Sequence, residues 1–234
     1  MLPLRDSVPG RTTPYVTVGL IVVNFLVWFW ELKAPGVDVH VFRDGYYPCA
    51  LDGPCRLPPG FHALPWYEGV FTGMFMHASW EHILGNMLFL WIFGNNVEDT
   101  LGRPRFIAFY LLGGLFATLS QTIVTLEAGS RTAAQIPNVG ASGAIAAVLG
   151  AYIVLFPGGR VFTWVIPFFF FELPALLFLG IWFLLQLFLG SQSVVAPEQG
   201  GGVAFFAHVG GFVFGLLAIR LFSAGRPRPV RPAY

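Results

Sequence analysis

The most informative part of the sequence is the run Gly140-Ala-Ser-Gly-Ala-Ile-Ala-Ala-Val-Leu-Gly-Ala-Tyr-Ile-Val-Leu-Phe156. It is apolar along its length and carries one serine, Ser142, near its start. Ser142, Ala146 and Gly150 recur at every fourth position, which places small residues on one face of a helix. Such a stripe lets two helix backbones approach closely in lipid. We therefore predict a helix that packs tightly against a neighbour within a membrane.

The composition points to a membrane protein. Of the 234 residues, 56% are hydrophobic, only 11% are charged and 25 are Phe, and the mean hydropathy is +0.69. A soluble domain normally has about 25% charged residues, so these charges are too few to cover a soluble surface. The lipid bilayer is the expected partner. A net charge of +1 gives no basic field for nucleic acid.

Apolar runs near spanning length predict six membrane helices in a single domain. They are Tyr15–Leu32, Ser79–Val97, Arg105–Leu126, Gly140–Phe156, about Pro174–Gly190 and Val203–Phe222. The predicted fold class is an all-α polytopic bundle at 15–222, between an N-terminal segment at 1–14 and a basic, proline-rich tail at 223–234. Residues 161–171 are predicted as an aromatic segment at the membrane interface.

The fourth predicted helix is short. At 1.5 Å per residue it spans roughly 25 Å, less than the ~30 Å hydrocarbon core. We expect its neighbours to surround it and its N-terminus to lie sunk below the outer surface, where a cavity would admit water.

Lys and Arg residues predict the orientation. Nine fall on the side of the termini, against four in the opposite loops, so both termini are expected in the cytoplasm. Because no organellar presequence is visible, a multi-pass protein of a prokaryotic plasma membrane is the expectation.

The first outer loop, about 33–70, contains both cysteines, Cys49 and Cys55. Outside the cytoplasm a disulfide between them is as plausible as two free thiols. A metal site is disfavoured because no second cysteine pair accompanies them.

Four polar side chains are predicted to form one layer. The second, fourth and sixth helices enter from the same side of the membrane, and each carries polar residues in its first two turns: His82 and Asn86, then Ser142, then His208. Polar residues at membrane depth are costly and indicate a functional site. The helical spacing of His208, Gly211 and Gly215 matches the small-residue stripe that contains Ser142. If the two stripes pack together, Ser142 and His208 come within hydrogen-bonding reach.

This layer is suited to acyl transfer. A serine hydroxyl is a weak nucleophile until a neighbouring base takes its proton, and a neutral imidazole can do so. His82 and Asn86 offer donors for the oxyanion, as does the start of the helix that carries Ser142. No carboxylate is within reach of His208, so a Ser–His dyad without metal or cofactor is predicted. Glu98 is expected to cap or pair at the opposite end of the second helix.

Two other classes of function remain open from the residues alone. A membrane haem protein would use His82 and His208 as axial ligands, but it gives Ser142 and Asn86 no role. A non-catalytic binder or chaperone of membrane helices would use the same cavity. His77, just before the second helix, is interpreted as a structural residue that holds the adjoining loop.

At these positions the chain resembles the rhomboid family of intramembrane serine proteases. The matching motifs are His77-Ala-Ser-Trp-Glu-His82-Ile-Leu-Gly-Asn86, Val97-Glu98…Gly102, Gly140-Ala-Ser142-Gly143 and Ala207-His208-Val-Gly-Gly211…Gly215. The resemblance implies a six-helix bundle that cleaves single-span or polytopic membrane proteins near their outer ends. It also implies Ser142 as nucleophile, His208 as base, and His82 and Asn86 at the oxyanion hole. Some relatives carry an aromatic residue four positions after the serine, where this chain has Ala146.

Overall fold

The computed structural model describes residues 2–128, 131–165, 167, 169–195 and 203–226, and there the chain is mostly helical. The α-helices are α1 Tyr15–Glu31, α2 Val37–Asp44, α3 Cys49–Asp52, α4 Trp66–Gly73, α5 Trp80–Phe89, α6 Asn95–Leu101, α7 Arg103–Glu127, α8 Ser142–Leu155, α9 Ala175–Val195 and α10 Phe205–Phe222. A π-helical turn, Leu90–Gly94, joins α5 to α6 without a break. Most of the predicted C-terminal tail, residues 227–234, lies outside the described residues.

Several helices are apolar enough for a bilayer. Among the described residues, three have the length and composition to cross a membrane, namely α7, α9 over Ala175–Ser193, and α10. The helices α1 and α8 are apolar but shorter. Each of these five helices begins within about two residues of the corresponding predicted run. Pro, Gly and charged residues limit both the apolar run and the helix, so the two have nearly the same boundaries.

Helix α8 lies at the centre of the molecule. It has 14 residues, and its ten residues Gly143–Tyr152 are all buried. It begins after Gly140, whose φ of +130° is strained for any residue with a side chain. It ends at Leu155, two residues ahead of Pro157. α8 packs against α7 and α10, and its first residue, Ser142, is half-buried.

The start of α1 is capped by a side chain from another helix. α1 has no cap of its own, but the buried carboxylate of Glu98 accepts from the backbone N–H groups of Val16 and Thr17, at 3.0 and 2.7 Å. It also accepts from Thr17 Oγ1 at 2.7 Å. A carboxylate satisfies the unpaired N–H groups at a helix start and interacts favourably with the helix dipole. The predicted capping role of Glu98 is confirmed.

A three-stranded antiparallel sheet corrects the all-α prediction. Its order is β1 (Leu2–Asp6), β2 (Arg160–Val165) and β3 (Phe169–Pro174). β2 and β3 form a hairpin around Pro167 within the segment expected to be a plain aromatic stretch, and β1 comes from the expected N-terminal tail. Phe, Val, Thr and Trp favour strands, and paired strands satisfy the backbone polar groups of a segment too short for a membrane helix.

Asp6, the last residue of β1, ties the sheet to the helices. Its Oδ2 accepts from Asn96 Nδ2 of α6 and from the hydroxyl of Tyr152 of α8, both at 2.6 Å. Burial raises the pKa of Asp6 to about 6, against the opposing effect of the Tyr152 hydrogen bond. The end of α8 remote from Ser142 is therefore fastened to the N-terminal strand.

The first loop is closed by a disulfide and is attached to two other segments of the chain through Tyr46. Cys49 and Cys55 form a disulfide, which decides between the two alternatives left open by the sequence. The backbone of Tyr46 pairs with that of Asn138, which lies just ahead of α8. The Tyr46 hydroxyl also hydrogen-bonds Thr122 of α7 at 2.8 Å. The loop is thus attached directly to the segment that leads into Ser142.

Candidate active site

Ser142 and His208 are in direct contact. Ser142 is the first residue of α8, and His208 lies in the second turn of α10. The distance between Ser142 Oγ and His208 Nε2 is 2.7 Å, a short hydrogen bond. The expected approach of the two small-residue stripes therefore occurs, and it brings a hydroxyl against an imidazole nitrogen.

Glycines make this approach possible. A Cβ on Gly211 would collide with the carbonyl oxygen of Gly143, and one on Gly215 would collide with the carbonyl oxygen of Ala147. A Cβ on Gly150 would collide with the carbonyl oxygen of Phe212. The backbones of α8 and α10 touch at three places, as small-residue stripes predict. Ser142 and His208 lie at the level next to the Gly143–Gly211 contact.

His82 lies beside the entry to α8. A Cβ added to Gly140 would come 2.7 Å from His82 Nε2 and 3.5 Å from Ser142 Oγ. The imidazole of His82 and the hydroxyl of Ser142 therefore flank the same glycine, which has no side chain to separate them. The start of α5 is fixed by Ser79, whose Oγ accepts from the His82 backbone N–H at 3.2 Å.

Asn86 lies one turn after His82 on the same face of α5. Its Nδ2 is 3.0 Å from His77 Nε2, and because an amide nitrogen is only a donor, the His77 nitrogen accepts. The buried His77 also donates its backbone N–H to the carboxylate of Glu31 at 3.2 and 3.3 Å. His77 thus fixes the amide of Asn86 as well as the loop, a contact that its position alone did not reveal.

Two residues near His208 were missed in the sequence. Gln186 of α9 places its Oε1 2.8 Å from His208 Nδ1. The ring of Trp182, one turn earlier on α9, lies 5.7 Å from the His208 ring, centroid to centroid, at an interplanar angle of 39°. A signal for Gln186 existed, because it is the lone polar residue between Ala175 and Gly190, and polar residues at membrane depth indicate function.

Gln121 of α7 is a third missed residue. α10 has no cap of its own, but Gln121 Oε1 accepts from the backbone N–H groups of Phe206 and Ala207, at 3.0 and 3.2 Å. The N–H groups in the first turn of a helix have few acceptors within the helix, although the Ala207 N–H also bonds the carbonyl oxygen of Ala204 at 3.1 Å. Gln121 therefore fixes the start of the helix one residue before His208.

A small cavity adjoins the serine. Its volume is about 30 Å³, which is room for roughly two water molecules. The lining includes Met74, Gly114, Ser142, Gly143 and Ala207. These residues are small or flexible, and the serine hydroxyl supplies a polar partner for water.

The chain is similar to several curated proteins. It is 31% identical over 148 residues to the "Presenilin-associated rhomboid-like protein, mitochondrial" of Bos taurus, covering 61% of this chain and 34% of that protein. It is 29% identical over 148 residues to "Rhomboid protein 1, mitochondrial" of Saccharomyces cerevisiae, covering 63% and 40%. "Rhomboid-like protein 11, chloroplastic" of Arabidopsis thaliana is 40% identical over 86 residues, covering 36% and 28%. The chain spans well under half the length of these relatives.

The prediction of a prokaryotic plasma membrane with cytoplasmic termini is wrong. The relatives are eukaryotic proteins whose names place them in mitochondria or chloroplasts. The prediction was based on the absence of a visible presequence. That absence does not establish which membrane contains the protein.

The sequence model of the family described as "Rhomboid domain" matches residues 65–225 of this chain. The matched region contains α4 to α10, and with them Ser142, His208, His82, Asn86 and their supporting residues. It covers more than half of the sequence. The chain belongs to the rhomboid family.

Proposed function

We propose that this protein is an intramembrane serine endopeptidase that hydrolyses peptide bonds of membrane proteins by a Ser142–His208 dyad. The observation that carries the proposal is the 2.7 Å contact between Ser142 Oγ and His208 Nε2. A nucleophile and its base need this separation. Membership of the rhomboid family supports the same activity.

The architecture proposed for this activity is a bundle of six membrane helices. They are α1, the continuous run from α5 to α6, α7, α8, α9 and α10. α8, with 14 residues, rises roughly 21 Å, so Ser142 would lie below the membrane surface on the side of the first loop. Substrates would be cut near that side.

The proposed reaction has two stages. His208 Nε2 takes the proton of Ser142 Oγ as the oxygen attacks the substrate carbonyl carbon, and the same nitrogen then gives the proton to the leaving amine. Water, activated by His208, hydrolyses the acyl-enzyme in the second stage. The cavity beside Ser142 has room for that water.

The developing oxyanion needs preorganised donors. The first backbone N–H groups of α8 are unpaired within the helix and lie at the positive end of its dipole. The ring of His82 beside Gly140 and the amide of Asn86 are the side-chain donors in this proposal. The hydrogen bond to His77 holds that amide in one orientation.

The haem alternative is disfavoured by the contacts of His208. One ring nitrogen bonds Ser142 and the other bonds Gln186. An axial ligand must offer a free ring nitrogen to iron, so haem binding would break one of these two contacts.

A fluorophosphonate probe tests the proposal, because it labels activated serines. Wild-type protein in detergent should be labelled and should cleave a single-span substrate, whereas Ser142→Ala and His208→Ala should do neither above background. Ser120→Ala is the matched control: its hydroxyl bonds the Phe116 carbonyl on its own helix, α7, at 2.8 Å. Labelling that survives in Ser142→Ala would overturn the assignment of the nucleophile, and capture of substrate without any cleavage would favour a non-catalytic binder.

A further inference from the structure

Gln186 is exceptional on its helix. The side chains around it, Leu184, Leu185, Leu187 and Phe188, are exposed on the outer surface of the bundle, whereas Gln186 is 7% exposed. Burying an amide in an apolar environment is costly unless it is hydrogen-bonded. α9 therefore carries one buried polar group, and that group faces His208.

The contact with Gln186 decides which nitrogen of His208 carries the proton. Gln186 Oε1 is only an acceptor, so the bond to His208 Nδ1 requires a proton on Nδ1. A neutral imidazole has one ring proton, so Nε2 keeps its lone pair. Nε2 is the nitrogen next to Ser142 Oγ. The opposite tautomer would present an N–H to Ser142 and could not accept its proton.

Trp182 adds a second restraint from the same helix. Its ring lies against His208 and is 6.1 Å from the ring of Phe212, centroid to centroid. α9 thus limits the rotation of the His208 ring with an aromatic side chain and a hydrogen bond.

We propose that Gln186 is the positioning residue of the Ser142–His208 dyad, holding His208 in the tautomer that accepts the serine proton. The inference rests on the proposed protease function and assigns the orienting role that a carboxylate has in a catalytic triad to a neutral amide. A neutral partner orients the imidazole without a negative charge to stabilise its protonated form.

Two substitutions separate the parts of this role. Gln186→Met keeps the length of the side chain but removes the acceptor, and we expect kcat to fall on the order of 10- to 100-fold with KM nearly unchanged. This loss is smaller than the ~10⁴-fold loss when a triad histidine is forced into the wrong tautomer. Gln186→Glu keeps the acceptor and adds a charge, so it should retain most activity and move the acid limb of the pH–rate profile to higher pH. His82, the other titratable side chain beside Ser142, is the same in all variants.

Nitrogen-15 spectra of histidine-labelled protein report the tautomer without using activity. Wild type should show His208 protonated at Nδ1, and Gln186→Met should show a mixture of tautomers. Leu187→Met, on the exposed face of α9, is the control for the substitution itself and should match wild type.

The outcomes are distinguishable. If wild type neither reacts with the probe nor cleaves substrate, the protease function fails. If wild type is active and Gln186→Met keeps both its tautomer and its kcat, only the positioning role fails. Should Gln186→Met not fold, the pH–rate profile of Gln186→Glu tests the proposal. An acid limb at the same pH as in wild type would overturn it.

Discussion

The carbonyl oxygen of Gly143 lies directly against the Cα of Gly211, with no space between them for a side chain. This contact joins α8 to α10 one residue after Ser142 and three residues after His208. The distance between the two site residues is therefore set by a backbone contact rather than by the side chains themselves.

Gly211→Ala should separate the two helices. The added methyl group meets backbone, which cannot rotate away, and overpacking of this kind costs typically 1–3 kcal/mol. We expect probe labelling to fall by roughly tenfold or more, because a shift on the order of 1 Å at a reacting centre costs about 10²-fold. Gly180→Ala on α9, where an added Cβ would meet nothing within 4 Å, should keep wild-type labelling. Equal labelling of both variants would show that the close contact is dispensable.

Gln121→Met should loosen the start of α10. The substitution removes the acceptor of the Phe206 N–H and one of the two acceptors of the Ala207 N–H, and loss of a helix cap costs about 1 kcal/mol. Thermal unfolding in detergent should occur at lower temperature, and cleavage should slow because His208 follows these residues. Gln121→Glu retains the acceptor and should restore both properties. If Gln121→Glu is as impaired as Gln121→Met, the cap is not the reason.

Glu98→Ala should destabilise the fold without touching the candidate site. It leaves two N–H groups and one hydroxyl at the start of α1 without their acceptor, at a cost of about 1–3 kcal/mol for each buried unsatisfied group. Glu98→Gln, which keeps one acceptor oxygen, should be intermediate. Glu127→Ala, an exposed glutamate at the end of α7, should unfold like wild type. The midpoint of thermal unfolding in detergent measures all three.

Asp6 should make stability depend on pH. Its pKa is about 6 in the folded protein, against 3.8 when unperturbed, so folding favours the protonated form. The resulting stability is fully present below pH ~4 and is lost as the pH rises through about 6. Asp6→Asn stays neutral and still offers an acceptor to Asn96 and Tyr152.

The comparison between wild type and Asp6→Asn isolates this group, since other carboxylates titrate equally in both. The Tm of the variant relative to wild type should rise by a few degrees between pH 4 and pH 7. A constant difference across that range would mean that Asp6 titrates normally in the folded protein.

The helices and the central contact of the site were predictable because both follow from local pattern. Hydropathy marks an apolar run wherever it packs, and small residues at helical spacing identify a face for close approach. Ser142 and His208 lie on such faces at the same depth. Their 2.7 Å contact was therefore within reach of an argument from periodicity and topology.

The parts that were missed depend on contacts between distant segments. β1 pairs with β2 more than 150 residues later, and no local pattern records that pairing. Gln121 and Gln186 act on α10 from two other helices, so their roles appear only when the helices are packed. The role of Glu98 was predicted correctly because a carboxylate at a helix boundary has few other uses.

The pairing of Leu2 with Trp164 across the sheet has a consequence for the order of assembly. Synthesis proceeds from the N-terminus, and contacts between distant segments form late because a long loop must close first. When β1 leaves the ribosome, its partner strand β2 has not yet been synthesised, and the helices α1 to α8 are made before it. Strand β1 is thus among the last elements to become ordered.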